Sequence, residues 1–226
     1  MSAAADPITL AVCGSNLTGD APFSVALRRS IGGEVHEACA PAGERGDLAV
    51  LCRDLCAAHG VTPQDVREVR VDVGPGSYTG LRVAVTFVRF LQQFGGVAVR
   101  AVDSLALLAW HGRGDGAALR PMLDARRGRY HTGLYELDGE RLVEREAQQA
   151  VAVDDAIARI AADQRVIVPA SFAATIGDVV RARGAQCVVA ERLTAAALLA
   201  DGSLPLFDAN AEDLEPRYLM ASYAED

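Results

Sequence analysis

Apolar and polar residues alternate in short blocks along the chain, and these blocks predict a first run of strands and helices. Apolar residues recur at spacings of three and four between residues 43 and 59, which predicts a helix there. Thr62 and Pro63 predict an N-cap followed by a proline at the first helical position. The other predicted elements of this run are strands at residues 8–12, 23–27, 35–39, 69–73 and 97–102 and helices at residues 79–94 and 104–110.

A glycine-rich break at residues 111–116 separates this run from a second one in a similar order. An arginine-rich turn joins two predicted strands, and Asp138-Gly139 predicts a hairpin into a third. Each half therefore has three strands, followed by helices that alternate with strands. The predicted elements of the second run are strands at residues 119–123, 130–137, 141–147, 165–168 and 186–190 and helices at residues 154–162, 173–183 and 194–200.

Three antiparallel strands followed by right-handed βα crossovers predict a mixed sheet covered by helices. Two such lobes resemble the duplicated, ribonuclease H-like fold of the superfamily of actin, sugar kinases and heat-shock ATPases. That resemblance implies phosphate-binding turns between the first two strands of each lobe. We expect lobes at residues 1–103 and 104–226, with a tail that returns to the first lobe. The alternative is one doubly wound α/β domain whose halves only look alike.

Charge and cysteine content exclude several classes of function and indicate a cellular compartment. The net charge is −8 and all 22 basic residues are arginines, so no lysine is available for a phosphate loop or a Schiff base. A net acidic chain is a poor stand-alone binder of nucleic acid, so we expect tRNA contact only through a complex. Five irregularly spaced cysteines, no signal-like N-terminus and no bilayer-length apolar run indicate a cytoplasmic protein without membrane contact.

A glycine-rich turn, Gly74-Pro75-Gly76-Ser77-Tyr78-Thr79-Gly80, lies between the predicted strand at residues 69–73 and an apolar helix. Its glycines permit backbone angles or close approaches that side chains prevent, and its proline stiffens the turn. Ser77 or Tyr78 begins the helix, whose free N–H groups could accept an anion. Arg82 follows in the first helical turns.

The string from Val71 to Val83 resembles a motif of the TsaB (YeaZ) family, which acts in the synthesis of threonylcarbamoyladenosine in tRNA. Three further segments resemble family sequences in the same order. They are Ser104-Leu105-Ala106-Leu107-Leu108-Ala109, Asp124-Ala125-Arg126-Arg127 and Pro216-Arg217-Tyr218-Leu219.

The resemblance implies a non-catalytic subunit that binds and activates the catalytic paralogue TsaD. With the ATPase TsaE, the two proteins would support threonylcarbamoyl transfer to tRNAs that read codons beginning with A. A homodimer is a further implied state. No tightly bound cofactor is expected, and ATP or ADP would bind only at an interface with partners.

The residues of the first phosphate turn depart from the family pattern. Where the family carries Asp-Thr-Ser, this chain has Cys13-Gly14-Ser15, and a neutral thiol cannot replace a hard oxygen ligand for Mg²⁺. Residual phosphate or nucleotide contact is assigned to Gly14, Ser15, Asp124 and Arg126. For Asp124, an equal alternative is a carboxylate that accepts backbone N–H bonds at a turn. For Arg126 and the other arginines of the same turn, the alternative to phosphate contact is an ordinary solvated turn.

Neither a metal site nor a nucleophile is predicted. The four histidines include no pair at the spacing of four that a helical metal site needs. Cys52 and Cys56 are four residues apart, but both lie on the apolar stripe of their helix, which favours the core. Ser77 lacks the Gly-x-Ser-x-Gly pattern of a nucleophile elbow.

The helix predicted at residues 79–94 has an apolar arc wider than contact with one sheet requires. One part of this arc packs against the sheet or the preceding helix, and the rest would bind a partner. The predicted interface consists of Leu81, Val83, Phe87, Phe90 and Phe94. The alternatives to a partner subunit are an active ATPase or phosphotransferase of the same fold and a metallopeptidase of the glycoprotease type.

Overall fold

The computed structural model describes residues 7–19, 21–30, 33–41, 46–114, 116–200 and 202–219. The first half forms a six-stranded mixed sheet in the order β11-β5-β4-β1-β2-β3. Its central strand β1 is parallel to β4 and antiparallel to β2. The strands and helices of this half are β1 Ile8–Cys13, β2 Ser24–Arg29, β3 Val35–Cys39, α1 Leu48–Ala58, β4 Val66–Asp72, α2 Tyr78–Gly95, β5 Ala98–Val102 and α3 Ser104–His111, with β11 at Phe207–Ala209.

The second half forms a five-stranded mixed sheet in the order β10-β9-β6-β7-β8. Its first strand β6 is antiparallel to β7 and parallel to β9, as β1 is to β2 and β4. The elements of this half are β6 Ala118–Arg126, β7 Arg129–Asp138, β8 Arg141–Ala152, α4 Val153–Ala158, β9 Gln164–Pro169, α5 Ala170–Ala182 and β10 Gln186–Ala190. The two mixed sheets flanked by helices confirm the predicted duplicated, actin-like α/β fold.

Several predicted boundaries differ from the structure for local reasons. The helix predicted from residue 43 begins at Leu48, because the Asp47 carboxylate accepts the N–H groups of Ala49 and Val50. Residues 43–45 of that prediction lie outside the described residues. The helix predicted at residues 194–200 is a 3₁₀ helix, Ala195–Leu199. The capping box of Thr62 confirms the predicted helix start there.

The chain returns to the first sheet after the second is complete. Strand β11 pairs antiparallel with β5, and Leu214 is buried in the core beneath the first sheet. The Arg217 N–H then donates to the Val73 carbonyl at 2.7 Å. The division at residue 103 stays a prediction, but the first sheet takes its last strand from the C-terminal segment.

A continuous apolar core joins the two sheets. Ala11 and Ala26 of the first sheet and Leu119 and Ile167 of the second belong to one buried cluster, which also contains most of α3. Two buried arginines add polar links across the same junction. Arg28 and Arg70, on β2 and β4, donate to carbonyls at the end of the 3₁₀ helix Ala195–Leu199. Buried apolar side chains and these two arginines thus link the two halves of the chain.

Among the helices of the described residues, none combines the length and the apolar character needed to cross a lipid bilayer.

Candidate functional site

The glycine-rich turn joins the end of β4 to the start of α2. Ser77 is the N-cap of α2, and its hydroxyl accepts the Gly80 N–H at 3.2 Å. The Ser77 N–H donates to the Ser15 carbonyl at 2.7 Å, which ties the turn to the loop after β1. This bonding gives the Ser77 side chain the role of a helix cap.

The glycines of the turn allow two backbone segments to pack directly on each other. A Cβ atom at Gly80 would lie 2.2 Å from the Gly14 carbonyl oxygen, and one at Gly76 would lie 2.5 Å from Cβ of Ser15. Gly74 has φ +118°, and a Cβ there would lie 2.6 Å from the Arg217 carbonyl oxygen. The turn is therefore wedged between the first-strand loop and the C-terminal segment.

Asp72, the last residue of β4, lies at the centre of this packing and was not among the predicted site residues. Its side chain is completely buried, and its carboxylate accepts the N–H groups of Gly14 at 2.8 Å and Ser15 at 3.2 Å. The Ser104 hydroxyl at 3.2 Å and the Cys13 thiol at 3.5 Å also donate to it. Gly14 and Ser15 are two of the residues assigned to residual phosphate contact, and their backbone amides thus already have an anionic partner.

The Cys13 thiol is buried, with 3% of the residue exposed. Burial raises the pKa of the Cys13 thiol well above its ordinary value, and the Asp72 carboxylate acts in the same direction. The thiol therefore stays protonated and can donate its hydrogen to Asp72. Sequence reasoning could have found Asp72, because parallel strands β1 and β4 end at one edge of the sheet and place their last residues side by side.

The turn between the first two strands of the second sheet, β6 and β7, is the counterpart of the loop after β1, and it is exposed. The Asp124 carboxylate accepts the Arg126 N–H at 2.7 Å, which is the turn-forming alternative of the prediction. Arg126 and Arg127 both have positive φ, as does Gly128 after them. The side chains of Arg126 and Arg129 lie at the surface, and Arg129 donates to the Ala150 carbonyl.

His131 lies beside this turn with its Nδ1 atom buried and without a hydrogen-bond partner in the described residues. Burial lowers the pKa of His131 to about 4, although the nearby Asp124 carboxylate acts in the opposite direction. The imidazole is thus held neutral at physiological pH.

The cysteines of α1 belong to the core, as predicted. Cys52 is buried and Cys56 packs against the same cluster, and burial raises the pKa of both thiols. In the part of the chain that the structure describes, no group of three or more His, Cys, Asp or Glu side chains is arranged to hold a metal ion.

Helix α2 presents one apolar edge to the core and another to solvent. Leu81 is completely buried within the chain, so its predicted place at a partner interface is wrong. The other four predicted interface residues share the outer edge. Phe94 is 75% exposed, Phe90 58% and Val83 39%, whereas Phe87 is partly buried against the core.

A cluster of Tyr78, Arg82, Arg217 and Tyr218 fixes the C-terminal segment beside the start of α2. The Arg82 guanidinium lies 4.0 Å from the centroid of the Tyr78 ring, and its Nε donates to the Tyr218 hydroxyl at 3.1 Å. Arg217 donates to both oxygens of Asp103, at 2.8 and 2.9 Å. Burial raises the pKa of Asp103, and the Arg217 guanidinium opposes that rise.

Comparison with solved structures shows the same fold along nearly the whole chain. A Pseudomonas aeruginosa protein described as similar to the peptidase YEAZ superposes with a TM-score of 0.73 at 23% identity, covering 95% of this chain and 100% of that one. YeaZ from Pseudomonas aeruginosa superposes with a TM-score of 0.71 at 24% identity, covering 94% and 100%.

Sequence comparison adds the family. The chain is 43% identical over 76 residues to the tRNA threonylcarbamoyladenosine biosynthesis protein TsaB of Bacillus subtilis (strain 168). That match spans 34% of this chain and only 33% of the curated relative. The family model described as TsaD, tRNA N6-adenosine threonylcarbamoyltransferase, matches residues 38–190. Because this model matches more than half of its residues, the chain belongs to the family that the model describes, and within the matched segment it is similar to TsaB.

Proposed function

We propose that this chain is a non-catalytic subunit of the machinery that forms threonylcarbamoyladenosine in tRNA, and that it acts by docking on the catalytic paralogue TsaD. The observation that carries the proposal is the apolar outer edge of α2, which we call the α2 stripe and define as Val83, Phe87, Phe90 and Phe94. The cytoplasm is the expected compartment.

The α2 stripe has the geometry of a helix-packing seam. Its residues follow one another at spacings of four, three and four, which keeps them on one side of a helix and allows them to pack into a facing helix. The rings of Phe90 and Phe94 stack with centroids 5.4 Å apart. An exposed row of aromatic and aliphatic side chains of this kind is typical of a surface that another protein covers.

The helix that carries the α2 stripe is packed firmly against the core. The opposite edge of the helix, with Leu81, Ala84 and Val88, is completely buried. Phe87 contacts that core from the outer side. A partner would therefore meet a preformed surface and would not have to order a flexible segment, which favours tight binding.

A non-catalytic role agrees with the geometry of the first phosphate turn. The amides of Gly14 and Ser15 bind Asp72, and the Ser77 hydroxyl caps α2. We therefore assign the chemistry to TsaD, with TsaE as a further partner and tRNA contacted only through the complex. In this proposal any ATP or ADP would lie at the interface with partners. A homodimer through the α2 stripe is the competing state of the free chain.

The proposal is tested by reconstitution with TsaD, TsaE, tRNA, ATP, threonine and bicarbonate, with and without this chain. We expect modified adenosine only when the chain is present, measured by mass spectrometry of digested tRNA. Equal product without the chain would refute the proposed role. ATP hydrolysis by the purified chain would favour the alternative of an active ATPase.

Phe90→Asp tests the α2 stripe itself. Interface aromatic residues at central positions often contribute about 2 kcal/mol or more, so we expect TsaD binding to weaken roughly 30-fold or more. The matched control is Gln93→Asp, which puts the same charge on an exposed position of the same helix outside the α2 stripe. Circular dichroism should give the same melting temperature for both variants. If Phe90→Asp unfolds the monomer, or binds TsaD as tightly as the control does, the α2 stripe is not the docking surface.

A further inference from the structure

The loop after β1 has the form of an anion cradle. Two successive backbone N–H groups, those of Gly14 and Ser15, point to one place at the end of the central strand, and the Ser104 hydroxyl points to the same place. Successive backbone N–H groups that converge in this way form a concave site for an anion. In this chain the place is filled by the Asp72 carboxylate.

The carboxylate lies in the cradle without a compensating cation. Asp72 is 0% exposed, and among the described residues it forms no ion pair. Burying a charge requires hydrogen bonds that replace its lost hydration. Here those bonds come from two amides, one hydroxyl and one thiol. The cradle thus gives the buried carboxylate the hydrogen-bond donors that replace water, and the carboxylate gives these buried donors an acceptor.

The backbone segments around the cradle are closely packed. The Gly76 Cα lies close enough to Ser15 that a Cβ atom would meet the Ser15 carbonyl oxygen at 2.6 Å. A Cβ atom at Gly80 would meet the Gly14 carbonyl oxygen at 2.2 Å. Ser104 also accepts the Gly74 N–H at 3.0 Å, which fixes its hydroxyl toward Asp72. A phosphate group could reach the two amides only if Asp72 left and the turn moved away.

We propose that Asp72 is an internal anion that permanently occupies the N–H cradle of the first lobe, in the place where an external oxyanion such as a nucleotide phosphate would otherwise bind. The first lobe is then closed to phosphate by its own side chain. The same carboxylate holds the first-strand loop and the glycine-rich turn together. This inference concerns the isolated chain and does not depend on docking to TsaD.

Removal of the side chain should uncover the cradle. In Asp72→Ala the two amides and the hydroxyl lose their buried acceptor, and we expect the melting temperature to fall by about 5–10 °C. Formate has the size of the missing carboxylate, so sodium formate should restore part of that loss relative to sodium chloride at equal ionic strength. The matched control is Val71→Ala, a truncation at the neighbouring completely buried position, which should lose stability without a specific response to formate.

Amide signals give a direct measurement of the site. In ¹H–¹⁵N spectra, formate should shift the Gly14 and Ser15 amides of Asp72→Ala and leave those of Val71→Ala and the wild type unchanged. ATP or inorganic phosphate should leave both amides unchanged in the wild-type chain. A shift of these two amides when ATP or phosphate is added to the wild type would overturn the proposal, as would equal formate responses of Asp72→Ala and Val71→Ala.

Asp72→Asn keeps the proposal testable if the alanine variant does not fold. The amide preserves the shape but directs an NH₂ group at one of the two backbone donors, so we expect a lower melting temperature than in the wild type. Formate should not restore it, because the cradle remains filled. Wild-type stability in Asp72→Asn would show that the negative charge is not what the cradle holds, and the proposal would fail.

Discussion

Gly80→Ala tests the close contact between the first-strand loop and the start of α2. A Cβ atom at this position would lie 2.2 Å from the Gly14 carbonyl oxygen, whereas ordinary van der Waals contact begins near 3.4 Å. The two backbone segments would have to separate by roughly 1 Å, since neither contacting group is a flexible side chain. The Ser77–Ser15 hydrogen bond spans the same gap and would lengthen with it.

The expected free-energy change follows from two opposing terms. Overpacking of this kind costs about 1–3 kcal/mol, with the upper end expected for a backbone-to-backbone clash. Alanine in place of glycine in a helix gains at most about 1 kcal/mol. We therefore expect Gly80→Ala to lower the free energy of unfolding by about 2 kcal/mol, which corresponds to a melting temperature about 4–8 °C lower for a chain of this size.

Gly95→Ala is the matched control, because it makes the same substitution in the same helix where space is available. The nearest atom to a Cβ at Gly95 is a methyl carbon of Val97 at 3.7 Å. Here only the helix-propensity gain remains, and we expect stability to rise by up to about 1 kcal/mol. Urea and thermal unfolding followed by far-ultraviolet circular dichroism give both values. If Gly80→Ala is as stable as Gly95→Ala, the reasoning from the close contact is refuted.

Two further predictions concern buried charged and titratable groups. The pKa of His131 is lowered to about 4, so between pH 6.5 and 4 the unfolded chain binds a proton that the folded chain does not. Stability should fall as the pH drops through this range, and His131→Gln should reduce that slope in urea unfolding; an unchanged slope would contradict the burial of His131. Arg120 is 1% exposed and donates to both Glu146 oxygens at 3.0 Å and to Gln164 at 2.9 Å. Glu146→Gln should cost roughly 3 kcal/mol in the free energy of unfolding, because it leaves the buried Arg120 guanidinium without a counter-charge. Arg120→Met should cost clearly less, because the Glu146 carboxylate that it leaves behind is 39% exposed and can be hydrated; equal losses would contradict this assignment.

The sequence was most informative where local chemistry decides the structure. The capping serine, the glycines and the apolar period around Gly74–Gly80 place a strand, a turn and a helix correctly, because each of those signals acts within a few residues. The same helical period separates the buried edge of α2 from the α2 stripe. The helical period does not show which edge of α2 faces the core, and for that reason Leu81 was assigned to the wrong surface.

Features that depend on distant parts of the chain were missed. Strand β11 has only three residues, Phe207–Ala209, and exists because β5 offers it an edge. Asp72 looks like a single polar residue at the end of an apolar strand. Its role follows from the parallel pairing of β1 and β4, which brings the amides of Gly14 and Ser15 to it, a consequence that was not drawn from the predicted parallel strands.

The return of the C-terminal segment to the first sheet has a consequence for synthesis on the ribosome. Residues 207–217 supply an edge strand, a buried leucine and the backbone bond to Val73, and they are translated after the entire second sheet. The half of the protein that emerges first is thus completed last. Until then β5 is an open edge and the glycine-rich turn lacks its contact with Arg217, so a nascent or C-terminally truncated chain should need protection from edge-to-edge association.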